Sequence, residues 1–137
     1  MTCPAQVLPH RPPMLLLEAI QEVDDRHCTA LVKVDPQAWY AAANGSAPGW
    51  FGLEWMAQTI SAYSGHQNQG QGRPPKLGYL LGTRQFQCDW QSFPAGATLE
   101  VEAQVHYADP GGLSAFQCEI RHQGVQIARA ILKVYEP

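Results

Sequence analysis

Pro48 to Gly65 reads PGWFGLEWMAQTISAYSG, and how this stretch folds decides the rest. Phe51, Leu53, Trp55, Met56, Ile60 and Tyr63 point in many directions around a helix of 3.6 residues per turn, so the segment predicts a helix that is apolar nearly all round. Such a helix needs cover on every side. Asn44-Gly45 marks a turn before it, Ser46 offers a capping oxygen and Pro48 suits an early helical position. Gly65 suits a C-terminal stop, so the expected span ends near Ser64. Its one carboxylate is Glu54. Glu54, Gln58 and Ser61 share a face and make a thin polar stripe. That stripe either faces solvent, where an acid near a helix N-terminus is favourable, or lines a pocket, where Gln58 would orient Glu54 for acid or base work.

The flanking sequence says what covers the helix. Upstream, LPHRPP (Leu8–Pro13) is punctuated by three prolines and cannot be helix interior. MLLLEAIQEV (Met14–Val23) and CTALVKV (Cys28–Val34) read as two strands joined by a polar turn. Downstream, QNQGQGRPP (Gln67–Pro75) is a loop. After it KLGYLLGTRQFQCDW, TLEVEAQVHY, LSAFQCEIRH and VQIARAILKVY read as four strands, separated by the turns FPAG, ADPGG and HQG. Leu99, Val101, Ala103 and Val105 alternate onto one face, as do Phe116, Cys118 and Ile120. A hairpin, one helix and four consecutive strands predict an α+β domain over residues 1–137, its antiparallel six-stranded sheet curled around the helix.

Composition narrows the function. The chain is 45% hydrophobic and 15% charged with a net charge of −3, which calls for neither nucleic acid nor an anionic membrane. No apolar run reaches the roughly 18 residues of a membrane span. The opening MTCPAQVLPHRPP lacks the charged-then-apolar order of a signal peptide, so a cytoplasmic protein is expected. Cys3, Cys28, Cys88 and Cys118 are then expected as reduced thiols. Without CxxC or HxxxH spacing no metal site is expected, and nothing in the chain calls for a nucleotide or flavin cofactor.

PGWFGLEWMAQ is similar to the helix motif of the hotdog-fold 3-hydroxyacyl-ACP dehydratases of bacterial fatty acid synthesis. LPHRPPMLLLEAI resembles their entry segment, and KLGYLLGTRQFQCDWQSFPAGATLEVEA their third and fourth strands. The match is colinear over nearly the whole chain. PHRPPML and MAQTIxAYxG also resemble the predicted dehydratases of aryl polyene pigment clusters. The resemblance implies a dimeric hotdog domain acting on an acyl thioester carried by ACP or CoA. It implies Glu54 as the acid that helps expel the 3-hydroxyl as water, Gly49 as oxyanion donor and Gln58 as orienter. Trp39, Trp50 and Trp55, with Tyr40, are candidates for the wall of an acyl or aryl tunnel, or for ordinary core.

One departure matters. In the family a histidine takes the α-proton, from a Gly-His-Phe-Pro motif upstream of Pro-Gly. Between Asp35 and Pro48 this chain has no histidine; Tyr40 stands at the position by ungapped counting, and Asn44 if a gap is allowed. A tyrosine, with an ordinary pKa of about 10, is a weak base at neutral pH. His10 lies in the Pro-rich entry, and its family counterpart is not the general base. His27, His106 and His122 are expected at turns or a strand end, and His66 just past the helix, roughly 18 Å of rise from Glu54. Three readings follow: a dehydratase lacking the usual histidine, a hotdog thioesterase in which Glu54 activates water, and a non-catalytic subunit paired with an active hotdog protein as a heterodimer. For an acidic carrier protein, Arg73, Lys76 and Arg84 are the candidate basic rim.

Overall fold

The structure, a computed structural model, describes residues 2–74 and 78–137, and of Tyr79 the backbone alone. The strands are β1 (Ala19–Val23), β2 (His27–Lys33), β3 (Ala47–Pro48), β4 (Tyr79–Cys88), β5 (Ser92–Phe93), β6 (Thr98–Ala108), β7 (Leu113–His122) and β8 (Val125–Tyr135), with one helix, α1 (Gly52–Gly70), between β3 and β4. Six strands form an antiparallel sheet in the order β1-β2-β6-β7-β8-β4; β3 and β5 pair in a small second sheet. This is the expected hairpin, helix and four-strand order, and the sheet stays open rather than closing into a barrel.

Alternation along the strands builds the core. Leu99, Val101 and Ala103 of β6 and Phe116, Cys118 and Ile120 of β7 turn inward, as do Ala128, Ala130, Leu132 and Val134 of β8. They meet Trp55, Met56 and Ile60 of α1. Phe93 from the small sheet packs edge-on against Trp55 at a centroid distance of 5.0 Å, and Phe51 does so at 5.4 Å. The helix is therefore covered by sheet, by the β3–β5 ribbon and by the N-terminal segment, as an all-round apolar helix requires.

Three boundaries differ from expectation. The first strand begins at Ala19, not Met14, because the backbone of Met14 and Leu16 is bonded to the Gln58 side chain of α1 before the chain joins the sheet. Ser46 does not cap the helix; its hydroxyl donates to Asn44 Oδ1 at 2.6 Å, and a 3-10 turn over Gly49–Phe51 leads into α1. Gly65 does not end the helix, which continues to Gly70. Glycine is needed there for another reason. The backbone of Val7 crosses α1 at that point, and a Cβ on Gly65 would stand 1.7 Å from the Val7 carbonyl oxygen. No described helix is long and apolar enough to cross a membrane.

Candidate active site

Glu54 lies in the first turn of α1 and is half-buried. The stripe of Glu54, Gln58 and Ser61 lines a cavity of about 190 Å³, closed also by His10, Leu80 and Glu136. The pocket reading of the stripe therefore fits the structure. Glu136 is anchored by Asn68, whose Nδ2 donates to its Oε1 at 3.2 Å.

Gln58 has a different task from the one expected. It is fully buried. Its Oε1 accepts from Leu16 N at 2.9 Å and its Nε2 donates to Met14 O at 2.6 Å. Both amide atoms are thus engaged by the entry segment, and none is directed to Glu54. Gln58 fastens that segment across the helix one turn beyond Glu54 (i, i+4). The fastening carries His10 to the cavity wall. The Arg11 guanidinium tightens the same stretch, donating to Leu8 O at 2.8 Å and His10 O at 2.7 Å. Nδ1 of His10 is buried without a hydrogen-bond partner among the described residues. Burial pulls the imidazole pKa below its ordinary value, while the nearby charge of Glu54 pushes it back up. Sequence reading set His10 aside. Its neighbour in the cavity is 44 residues away along the chain, and no local pattern connects the two.

Gly49 is also placed otherwise than expected. Its N–H donates to Gln91 O at 2.9 Å, so it is not free for an oxyanion. Its lack of a side chain makes room for the segment between β4 and β5: a Cβ would stand 2.6 Å from Trp90 O. Tyr40 lines a different cavity, with Pro13, Trp39 and Leu15 to Leu17. Its ring stacks on Phe51 at 4.5 Å and its hydroxyl accepts from Asp35 N at 3.3 Å. Burial raises its pKa, which leaves still less phenolate to act as a base at neutral pH.

The tryptophans divide. Trp55 is fully buried core. Trp39 and Trp50 are exposed, and Trp39 Nε1 donates to Pro13 O at 2.9 Å. None of the three lines the cavity of Glu54. His66 sits inside α1 rather than beyond it, beside Thr2, Ile20 and Glu22. His122 packs its ring on Trp90 at 5.1 Å, and His27 is held by carboxylates. Arg73 and Arg84 are exposed; Lys76 lies outside the described residues. No metal-binding cluster occurs among the described residues.

A family model described as ApeP-like, ApeP dehydratase, matches residues 2–137. Among solved structures the chain is similar to the dehydratase heterocomplex ApeI:P from Xenorhabdus doucetiae, at 30% identity and TM-score 0.94, covering 100% of this chain and 92% of that one. It also resembles a hypothetical thioesterase with coenzyme A from Streptococcus pneumoniae TIGR4 (13% identity, TM-score 0.66, 86% and 84% of the two chains). A third is the PaaI protein of the E. coli phenylacetic acid degradation operon (19% identity, TM-score 0.64, 85% and 81%). These last two share the fold alone. No protein with a curated description matches.

Proposed function

We propose that this chain, which belongs to the ApeP-like dehydratase family, removes water from 3-hydroxyacyl thioesters in an aryl-polyene-type pathway, with Glu54 as the acid that expels the hydroxyl. The observation that carries this reading is the place of Glu54, in the first turn of α1 and at the wall of a cavity. The start of a helix presents unpaired amides and the positive end of its dipole, which polarise a thioester carbonyl and favour the enolate-like charge that forms there. The Gly49 amide, bonded to Gln91, takes no part in that duty. The substrate is carried by ACP rather than CoA, a choice supported by exposed Arg73 and Arg84 facing an acidic carrier. The cytoplasm suits Cys3, Cys28, Cys88 and Cys118 as free thiols.

The protein works as a dimer with a second hotdog chain. The Xenorhabdus dehydratase to which it is similar is a heterocomplex, and the two sheet edges support the same here. On the β1 edge Thr2 exchanges two backbone hydrogen bonds of 3.0 Å with Ile20. The outer edge of β4 has no strand beside it among the described residues. It exposes Leu80 and Leu81, at 47% and 58%. Open apolar edges invite a partner strand. Leu80 also lines the cavity, so a chain docked on β4 walls in the site.

The test is turnover of a 3-hydroxyacyl-ACP by the purified chain, alone and co-purified with its hotdog partner, following enoyl product and free thiol together. Enoyl product that falls at least about 100-fold in Glu54→Gln is the expected result. Free thiol in place of enoyl product would make the protein a thioesterase. Silence in both channels, alone and in the complex, would remove the dehydratase reading.

A further inference from the structure

We propose that His10 is the base of this reaction, taking the α-proton from a substrate held between its ring and Glu54. The proposal rests on the dehydratase reading above and names the group that the usual motif no longer supplies. It starts from three observations. His10 and Glu54 line one cavity. No ion pair joins them among the described residues, yet the ring feels the Glu54 charge, so they face each other across space rather than bonding. And neither ring nitrogen makes a hydrogen bond among the described residues, with Nδ1 buried, so the ring is not a structural link. A buried polar nitrogen without a partner costs about 1–3 kcal/mol. Such a nitrogen in a folded protein calls for an explanation, and a catalytic role is one.

The chemistry balances. Neutral imidazole takes the proton from Cα, and the electrons of the broken C–H bond become the Cα–Cβ double bond. The Cβ–O bond breaks and its pair leaves with the hydroxyl. The imidazolium proton passes to the Glu54 carboxylate, which hands it to the departing oxygen, so the hydroxyl leaves as water and both groups are restored. Glu54 on α1 and Glu136 after β8 line the same cavity as the ring, and the Glu54 charge favours the imidazolium that forms when the proton is taken, while the neighbouring Arg11 turns its guanidinium onto backbone carbonyls. Burial keeps the imidazole unprotonated at neutral pH, and Glu54 limits how far its basicity falls.

The decisive experiment compares wild type, His10→Gln and Glu54→Gln, alone and in complex with the hotdog partner, across pH. His10→Gln is expected to lose at least about 100-fold in kcat, together with the acidic limb of the pH profile that reports the base. A His10→Gln protein that keeps turnover within a few-fold of wild type, while Glu54→Gln loses it, would assign the base to the partner chain and overturn the proposal without touching the dehydratase reading. A silent wild type would overturn both. NMR titration of the imidazole needs no turnover and no His10 variant. The His10 signal is expected to titrate below the ordinary histidine value in wild type and lower still in Glu54→Gln. An identical midpoint in the two proteins would show that the groups do not face each other and would also overturn the proposal.

Discussion

The carbonyl oxygen of Val7 lies where a side chain on Gly65 would have to be, 1.7 Å from the position of a Cβ. Helix propensity alone would make Gly65→Ala stabilising by about 1 kcal/mol. The contact is with backbone, so no side-chain rotation relieves it, and overpacking of this kind costs about 3 kcal/mol. The second effect wins. Gly65→Ala is expected to lower stability by about 2 kcal/mol in urea unfolding, and to lower turnover as well, because the displaced segment carries His10 three residues beyond Val7. A variant as stable as wild type would show that the N-terminal segment does not cross the helix here.

Gln58→Leu probes the same segment from its other fastening. Leucine fills similar volume but leaves Leu16 N and Met14 O without these partners at a partly buried site. Abandoned backbone groups of this sort cost about 2–3 kcal/mol in total. The variant is expected to unfold at lower denaturant and to lose kcat at pH values where the fold is intact, since the ring of His10 is no longer held at the cavity wall. Had Gln58 merely oriented Glu54, activity would fall and stability would not. Equilibrium unfolding and turnover measured on one preparation separate the two roles.

His27 makes stability depend on pH. Nδ1 is 2.9 Å from Asp24 Oδ1 and Nε2 is 3.0 Å from Glu22 Oε1. Burial pulls its pKa down, but the hydrogen bond and charge of Asp24, the bond to Glu22 and the charge of Glu102 outweigh it, so the pKa is raised. A raised histidine pKa contributes stability that is full below the unfolded value of about 6.5 and lost as pH rises through the folded one. Wild type is therefore expected to exceed His27→Gln in stability at about pH 5.5 by more than it does at about pH 9. A gap that is constant across that range would remove the charge from the account.

Some of this was legible from the residues and some was not, and the division is physical. Strand alternation and the all-round apolar helix are local periodicities, so the sheet, its facing and the single helix could be read from Phe116, Cys118 and Ile120 or from Trp55, Met56 and Ile60. The place of Glu54 in the first turn of the helix was legible because its motif is local too. The helix end was misread because Gly65 carries the signature of a stop while serving as a crossing point, and sequence holds no mark of which chain passes over it. Gln58 and Gly49 were given roles at the reacting centre, yet each is engaged by a segment more than 40 residues away, through Leu16 and Met14 for Gln58 and Gln91 for Gly49. Long-range backbone contacts leave no periodic trace. His10 was hidden for the same reason: a proline-rich entry looks like a linker until it is laid on the helix.

The open edge of β4 yields a prediction that separates folding from assembly. Leu81 is 58% exposed on the last strand of the sheet, so Leu81→Lys removes little buried surface from the isolated chain and is expected to change its stability by less than about 0.5 kcal/mol. In a dimer joined along β4 the same side chain becomes buried, and an unpaired lysine placed there costs several kcal/mol. Association with the hotdog partner is therefore expected to weaken at least about 100-fold, the equivalent of about 2.7 kcal/mol. Sedimentation of wild type and variant over a range of concentrations reads this directly. Because Leu80 lines the cavity beside Glu54, loss of the dimer should also raise the KM for acyl thioester more than it lowers kcat, the wall being removed while Glu54 and His10 stay in place. A Leu81→Lys protein that still assembles like wild type would move the interface away from β4 and leave the exposed leucines without a partner to explain them.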